Sequence, residues 1–174
     1  ELLTFLARST QEAYTGKKAA RLAVVAKDLG ELRQKLSDAA GRIEKAPSKP
    51  FSGPKGMYFG LGPAGDVAFV FPGQGSQYVG MGGQLAASYD EALGAWDVAA
   101  DLGWSERLHD VVFPRPAFDD EAKAAQAAKL VRTEWAQPAI GAVSLSQLRL
   151  LRAMGVQPAC VGGHSYGEVT ALGA

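Results

Sequence analysis

The 174-residue sequence predicts an α/β fold: a parallel-sheet core with a small α+β subdomain at its N-terminus. Three observations carry that prediction. Short apolar runs, RLAVVA (21–26), VAFVF (67–71) and ACVG (159–162), alternate with longer stretches of helical period, a pattern that builds parallel sheets. The last two runs pass directly into glycine-rich loops, FPGQGSQ (71–77) and GGHSYGE (162–168), each followed by a helical pattern. Finally, APSKPFSGPKG (46–56) holds three prolines and two glycines and reads as a linker. The chain thus divides into residues 1–65 and 66–174.

The elements follow in order. Residues 1–20 read as helix. RLAVVA reads as a strand. Asp28 then sits as an N-cap with Glu31 three residues on, a capping-box spacing, and Leu29, Leu32, Leu36, Ala39 and Ile43 recur at helical intervals. MYFG (57–60) reads as one more short strand, ended by LGPAG. VAFVF, a continuous apolar run stopped by Pro72, is expected to be a strand buried on both faces. Helices are expected through Gly80–Ser88, over 90–103 and over 122–131, with FPRPAFDDE (113–121) irregular. Pro138 suits the first position of a further helix. That helix carries Ile140, Val143, Leu148, Leu150, Leu151 and Met154 on one broad face with Arg149 opposite, and ends at Gly155. ACVG is expected to be a short buried strand and YGEVTALGA the start of a helix.

Composition excludes several classes. Eighteen basic residues balance eighteen acidic ones, so nothing draws the chain to nucleic acid or to an anionic membrane. No apolar run approaches the roughly 20 residues of a membrane span. The single cysteine, Cys160, forms no internal disulfide, in keeping with a cytoplasmic location. No cysteine–histidine cluster suggests a metal. Asp119, Asp120 and Glu121 suit a helix N-terminus rather than a metal site. Lys17, Lys18 and Arg21 are too few for a nucleic-acid patch, and Trp96, Trp104 and Trp135 read as packing residues. The sequence opens on Glu1 without a signal-peptide pattern and is expected to be part of a longer chain.

GGHSYGE contains Gly-X-Ser-X-Gly centred on Ser165. Small residues two before and two after the serine let a strand reverse sharply into a helix and leave the hydroxyl exposed at the C-terminal edge of a sheet. The pattern alone leaves open an ordinary serine in a glycine-rich turn. FPGQGSQ has the glycines of a phosphate loop but not the rest of its pattern. The third glycine of a dinucleotide fingerprint would fall on Tyr78, and no Lys-Ser/Thr pair follows Gly80, so both phosphate motifs fail. What remains is a tight turn with free backbone N–H groups, able to supply one donor of an oxyanion hole or to serve as a simple connection.

VAFVFPGQGSQYVGMG followed by QPAIGAVSLSQLRLLRAMGVQPACVGGHSYGEVTAL resembles the acyltransferase domain of fatty acid and polyketide synthases, the malonyl-CoA:acyl carrier protein transacylases. The resemblance covers 66–174, which would be the front half of an acyltransferase core, left incomplete. Residues 1–65 resemble the linker between a ketosynthase and an acyltransferase domain. GHSYGE and VVFPRPAF are similar to polyunsaturated fatty acid synthases and enediyne-type polyketide synthases. The resemblance implies that Ser165 is the nucleophile and takes an acyl group, usually malonyl, from CoA. It implies backbone N–H groups of Gln74 and Tyr166 as the oxyanion hole, and Gln137 and His164 as active-site neighbours. It implies an acyl carrier protein as partner, whose phosphopantetheine thiol receives the acyl group, an adjacent ketosynthase domain, and no bound cofactor or metal.

A serine nucleophile needs a base. The chain has two histidines, His109 and His164. His164 neighbours Ser165 and reads as part of the turn, while His109 in ERLHDVVF sits before an expected strand or loop. In the family the base histidine and a carboxylate-gripping arginine lie downstream of the serine, so this chain on its own is expected to be inactive or severely impaired. Two other readings stay open at this point: a serine hydrolase of the α/β-hydrolase or patatin type, and a non-catalytic scaffold piece.

Overall fold

The computed structural model describes every residue except 17, 18, 54, 64, 101, 102 and 105. The chain forms two compact units, Glu1–Gly65 and Asp66–Ala174. Among the described residues no helix is long and apolar enough to cross a membrane.

The first unit contains helix α1 (Leu2–Glu12), strand β1 (Ala20–Val24), helix α2 (Leu29–Lys45) and strands β2 (Phe51–Gly53) and β3 (Met57–Leu61). The strands form one antiparallel sheet in the order β1-β3-β2. Along β3, Met57 and Phe59 are buried and Tyr58 is exposed, the two-residue period of a sheet with one covered face. The α2 residue Ala39 is fully buried, and Arg42 of α2 lies 3.9 Å over the Phe51 ring, which itself stacks on Phe59. The Asp28 side chain accepts from the Glu31 N–H at 2.8 Å, as the capping pattern predicts. The Glu31 carboxylate, however, reaches back to the Lys27 N–H rather than to Asp28.

Three expectations need correction in this unit. The helix expected over 1–20 spans only Leu2–Glu12, and the basic pair 17–18 lies outside the described residues. The Pro/Gly-rich segment is not all linker, because Phe51–Gly53 pairs with β3 as an edge strand. Proline is tolerated beside such a strand because an edge needs hydrogen bonds on one side only. Third, Leu29 and Leu36, expected on the covered face of α2, remain 42% and 44% exposed.

The second unit runs β4 (Ala68–Phe71), α3 (Gly83–Ser88), α4 (Asp90–Ala100), α5 (Leu108–Val112), α6 (Asp120–Val131), α7 (Thr133–Ala153), β5 (Cys160–Gly163) and α8 (Tyr166–Leu172). β4 and β5 pair in parallel, in register from Ala68↔Cys160 to Phe71↔Gly163, the arrangement the strand–helix alternation predicts. The helices share a core that includes Met81, Trp96, Leu108, Val112, Leu130 and Ile140. Small buried residues on α7, among them Ala139, Ala142 and Ser146, let α4 approach closely, and Ser146 Oγ donates to the Ala92 carbonyl at 2.6 Å.

Departures here have physical causes. α3 begins at Gly83 rather than Gly80 because Gly80 and Gly82 adopt left-handed φ values of 83° and 75°, which a right-handed helix cannot contain. The expected 90–103 helix is described to Ala100, and positions 101–102 lie outside the described residues. The segment around His109 is helical, because Leu108, Val111 and Val112 bury one face of a single turn. Pro138 is not a helix start: α7 begins at Thr133 and carries the proline inside it. The missing N–H costs about 3 kcal/mol in a helix interior; Ala136, Ala139 and Ile140, all buried around it, hold the helix together. Met154 is 58% exposed, beyond the end of α7. Gly155 does end that helix, with φ 78°, the Val156 N–H returning to the Leu151 carbonyl. Finally, neither β4 nor β5 is buried on both faces: Phe71 is 6% exposed but Val70 on β4 is 78% exposed, with Val161 on β5 also open. Among the described residues only one face of this two-stranded pair is covered.

Candidate active site

The parallel pairing brings the two glycine-rich loops together. β5 ends at Gly163 beside Phe71, the last residue of β4. The strand then reverses within two residues into α8. The His164 N–H donates to the Phe71 carbonyl at 3.1 Å, and the His164 carbonyl accepts from the Gly167 N–H at 2.9 Å.

The glycines of Gly163-His164-Ser165-Tyr166-Gly167 are there for space. A Cβ at Gly163 would overlap the backbone of Gly167 and Glu168, and a Cβ at Gly167 would overlap the Phe71 carbonyl. No side chain can stand at either position without moving strand or helix. Ser165, between them, has φ 54° and ψ −121°. Among the described residues it alone has positive φ without being glycine. Such a conformation costs about 1–3 kcal/mol and persists only when its surroundings hold it. Here they are the two pinned glycines and the hydrogen-bonded turn. The serine is exposed to solvent.

The other loop lies against this turn. A Cβ at Gly73 would come 2.5 Å from the His164 carbonyl oxygen and 3.2 Å from the His164 ring. Behind it the loop is internally braced: Ser76 Oγ donates to the Gly73 carbonyl at 2.9 Å, and the Gly75 N–H donates to Gln77 Oε1 at 2.7 Å. Gly75 has φ 108°, a conformation open to glycine. The Gln74 side chain reaches away, its Nε2 donating to Thr133 Oγ1 at 3.2 Å. Among the described residues, the backbone N–H groups of Gln74 and Tyr166 have no acceptor.

The Tyr166 ring leaves the turn toward α7. Its hydroxyl would stand 2.8 Å from a Cβ at Gly141, so the absence of a side chain at 141 is what seats it. Tyr166 and Gln137 line one open cleft of about 800 Å³, with Trp104 and Trp135 on its wall. Those two indoles meet edge to face at 5.8 Å. The expectation that all three tryptophans serve packing holds for Trp96, which is 4% exposed, while Trp104 is 44% exposed on the cleft wall.

The geometry therefore gathers Ser165, His164, Gln74 and Tyr166 in one place, with Gln137 in the cleft that Tyr166 lines. His109 lies elsewhere, on α5 beside a cleft that Phe113 and Trp96 share. Sequence reasoning missed Gly141 and Thr133. A lone glycine in a helix interior is a recognisable packing signal, and Gly141 carried it. Thr133 carried none.

Residues 68–174 match the acyl transferase domain family. The polyketide synthase GfsA of Streptomyces halstedii is 39% identical over 156 residues, covering 87% of this chain and 2% of that protein. Among solved structures, the acyltransferase domain from the second module of the salinomycin polyketide synthase aligns with a TM-score of 0.62 at 30% identity, covering 94% of this chain and 36% of that one. The acyl-carrier-protein-S-malonyltransferase from Bartonella henselae aligns with a TM-score of 0.51 at 37% identity, covering 62% and 32%. The chain thus spans about a third of these solved structures and a small fraction of the synthase. With Gly-X-Ser-X-Gly folded as a strained strand-to-helix turn and FPGQGSQ packed on it, the chain belongs to the acyl transferase domain family.

Proposed function

We propose that Ser165 is the residue that carries an acyl group, malonyl by preference, from CoA to an acyl carrier protein. The observation that carries this reading is the conformation of Ser165, the non-glycine residue held at φ 54° directly against the FPGQGSQ loop. Strain of this kind is tolerated where it aims a nucleophile.

In the proposed reaction a base takes the Ser165 hydroxyl proton as Oγ attacks the thioester carbonyl. A C–O bond forms, and negative charge develops on the carbonyl oxygen. The free N–H groups of Gln74 and Tyr166 receive that charge. Collapse breaks the C–S bond, and CoA leaves as the thiol with the proton. The phosphopantetheine thiol of the carrier protein then attacks the ester, a C–S bond forms, the C–O bond breaks, and the proton returns to Ser165. Two transfers through one side chain are covalent catalysis. A lost oxyanion donor costs about 3–4 kcal/mol of barrier in such sites.

His164 is assigned to the turn, since both its backbone polar groups are engaged there. His109 is assigned no catalytic part. The 174-residue chain alone is accordingly expected to turn over slowly or not at all, while still holding an acylatable serine. The malonyl preference and the carrier protein partner are supported by similarity to the Bartonella henselae enzyme, an acyl-carrier-protein-S-malonyltransferase. Residues 66–174 are assigned to the front part of the acyltransferase domain and 1–65 to the linker that joins it to a ketosynthase domain. The division at Gly65/Asp66 supports this, as does coverage of 94% by the polyketide synthase structure against 62% by the Bartonella henselae enzyme. Free, exposed Cys160 suits a reducing cytoplasmic setting.

The test is transfer of malonyl from CoA to phosphopantetheinylated carrier protein by the full natural polypeptide, with intact-mass detection of the acyl-enzyme. Ser165→Ala is expected to abolish both adduct and transfer. Wild-type transfer by Ser165→Ala overturns the assignment. Rapid release of the acyl group to water, without carrier protein, identifies a hydrolase instead.

A further inference from the structure

We propose that α7 positions the site from behind, with Thr133 and Gly141 as positioning residues that hold the two oxyanion donors through the donors' own side chains. The inference rests on the assignment of the Gln74 and Tyr166 N–H groups above. Each of those residues is anchored on the same helix. The Gln74 amide donates to Thr133 Oγ1 at 3.2 Å, at the first residue of α7. The Tyr166 ring lies over Gly141, with its hydroxyl where a methyl group would stand at 2.8 Å and its Cε1 at 3.1 Å. Eight residues separate the two anchors, about 12 Å of helix at 1.5 Å per residue.

α7 is suited to this task. Its buried residues include Ala136, Ala139, Ile140 and Ala142, so the face between the anchors is locked into the core. The anchors themselves are unlike. Thr133 is exposed and offers one hydrogen bond; Gly141 is buried and offers space. One fixes the FPGQGSQ loop, which has no regular structure of its own between Pro72 and Gln77. The other fixes the side chain that follows the nucleophile. Neither touches Ser165, so each acts only through the residue it holds.

Thr133→Val keeps the shape and removes the nearer of the two acceptors of the Gln74 amide, leaving the Val131 carbonyl at 3.5 Å, and Thr133→Ser restores it. On the chain itself, ¹⁵N relaxation of the Gln74 amide reads the effect without any need for turnover. The order parameter is expected to fall from the rigid range, about 0.85, toward the flexible range below about 0.6 in Thr133→Val, and to recover in Thr133→Ser. In the transferring polypeptide, kcat is expected to fall about 3- to 10-fold in Thr133→Val with KM little changed, the size of one neutral hydrogen bond. An unaltered Gln74 order parameter in Thr133→Val, or the same loss in Val and Ser variants, overturns the Thr133 anchor. For Gly141, the amide shift of Tyr166 and the acylation rate are read in wild type, Gly141→Ala, Tyr166→Phe and the double variant. Gly141→Ala is expected to cost less in the Phe background, where the crowded oxygen is gone. Equal effects in both backgrounds overturn the Gly141 anchor, and a folded double variant keeps this readable where the single variant unfolds. A wild-type polypeptide that never acylates Ser165 defeats the proposed function instead, while the relaxation and shift measurements still decide the anchors.

Discussion

Gly73 and Ser165 meet with no room to spare: a Cβ at Gly73 would lie 2.9 Å from the Ser165 Cβ. The contact joins two loops far apart in sequence, and it makes position 73 as demanding as the two glycines that flank the serine.

Gly73→Ala is therefore expected to damage the site more than its small size suggests. Because the nearest atoms belong to the backbone and Cβ of the turn, the turn must move rather than a flexible side chain. Overpacking of this kind costs about 1–3 kcal/mol of stability. A displacement of about 1 Å at the nucleophile lowers the acylation rate about 100-fold. Denaturant melts and the rate of Ser165 acylation measure the two effects separately, and a variant with wild-type values of both contradicts the contact.

The strain at Ser165 predicts an inversion between two small substitutions. Ser165→Gly removes the side chain that makes φ 54° costly, recovering part of about 1–3 kcal/mol. It loses about 0.4–1 kcal/mol to the greater freedom of the unfolded chain. Ser165→Ala keeps the Cβ and hence the strain. The glycine variant is expected to be more stable than the alanine variant by about 1 kcal/mol, and neither is expected to take up an acyl group. Equal melting of the two would mean that position 165 stores no strain.

In the first unit, Glu31 is placed to make stability depend on pH. Its carboxylate accepts from the Lys27 N–H at 2.8 Å and pairs with Lys35 at 2.9 Å. Those two hydrogen bonds, the Lys27 one foremost, hold its carboxyl below the usual carboxylate range. A carboxyl lowered in the folded state adds stability above its unfolded value and loses it as the pH falls through the folded value. Wild type is thus expected to be more stable than Glu31→Gln at neutral pH. The gap should close as the pH drops below about 4.3, the ordinary glutamate value. Melts of both proteins from pH 7 to pH 3 measure it, and a gap that widens in acid contradicts the pairing.

How much of this was legible in the sequence varied with the range of the forces involved. Local chemistry read well: the Asp28 cap, the Gly155 helix end and the Gly-X-Ser-X-Gly turn each depend on residues within one turn of chain. The parallel pairing of β4 and β5 also followed, since alternating strands and helices leave few other topologies. Misreadings arose where tertiary packing overrode a local preference. Pro138 signals a helix start by itself, yet the buried alanines on each side carry α7 through it. Phe51–Gly53 sits among prolines, yet an aromatic pair across β3 draws it into the sheet. The exposure of Val70 was illegible because an apolar run does not say how many of its faces meet a partner. At the site, Ser165 and the FPGQGSQ loop were legible as motifs. Their mutual contact and their support on α7 were not, because periodicity carries no information about which side chain lodges on which helix.

The register of the parallel pair has a kinetic meaning. Ala68 pairs with Cys160, 92 positions later, and helices α3 to α7 lie between them. Closing so long a stretch is slow compared with forming its helices. The Ser165 turn leans on Phe71 and Gly73, so its strained shape cannot arise while β5 is alone. The Ser165 turn is therefore expected to form late in folding, and reactivity of that one hydroxyl would report whether two distant ends of the second unit have found each other.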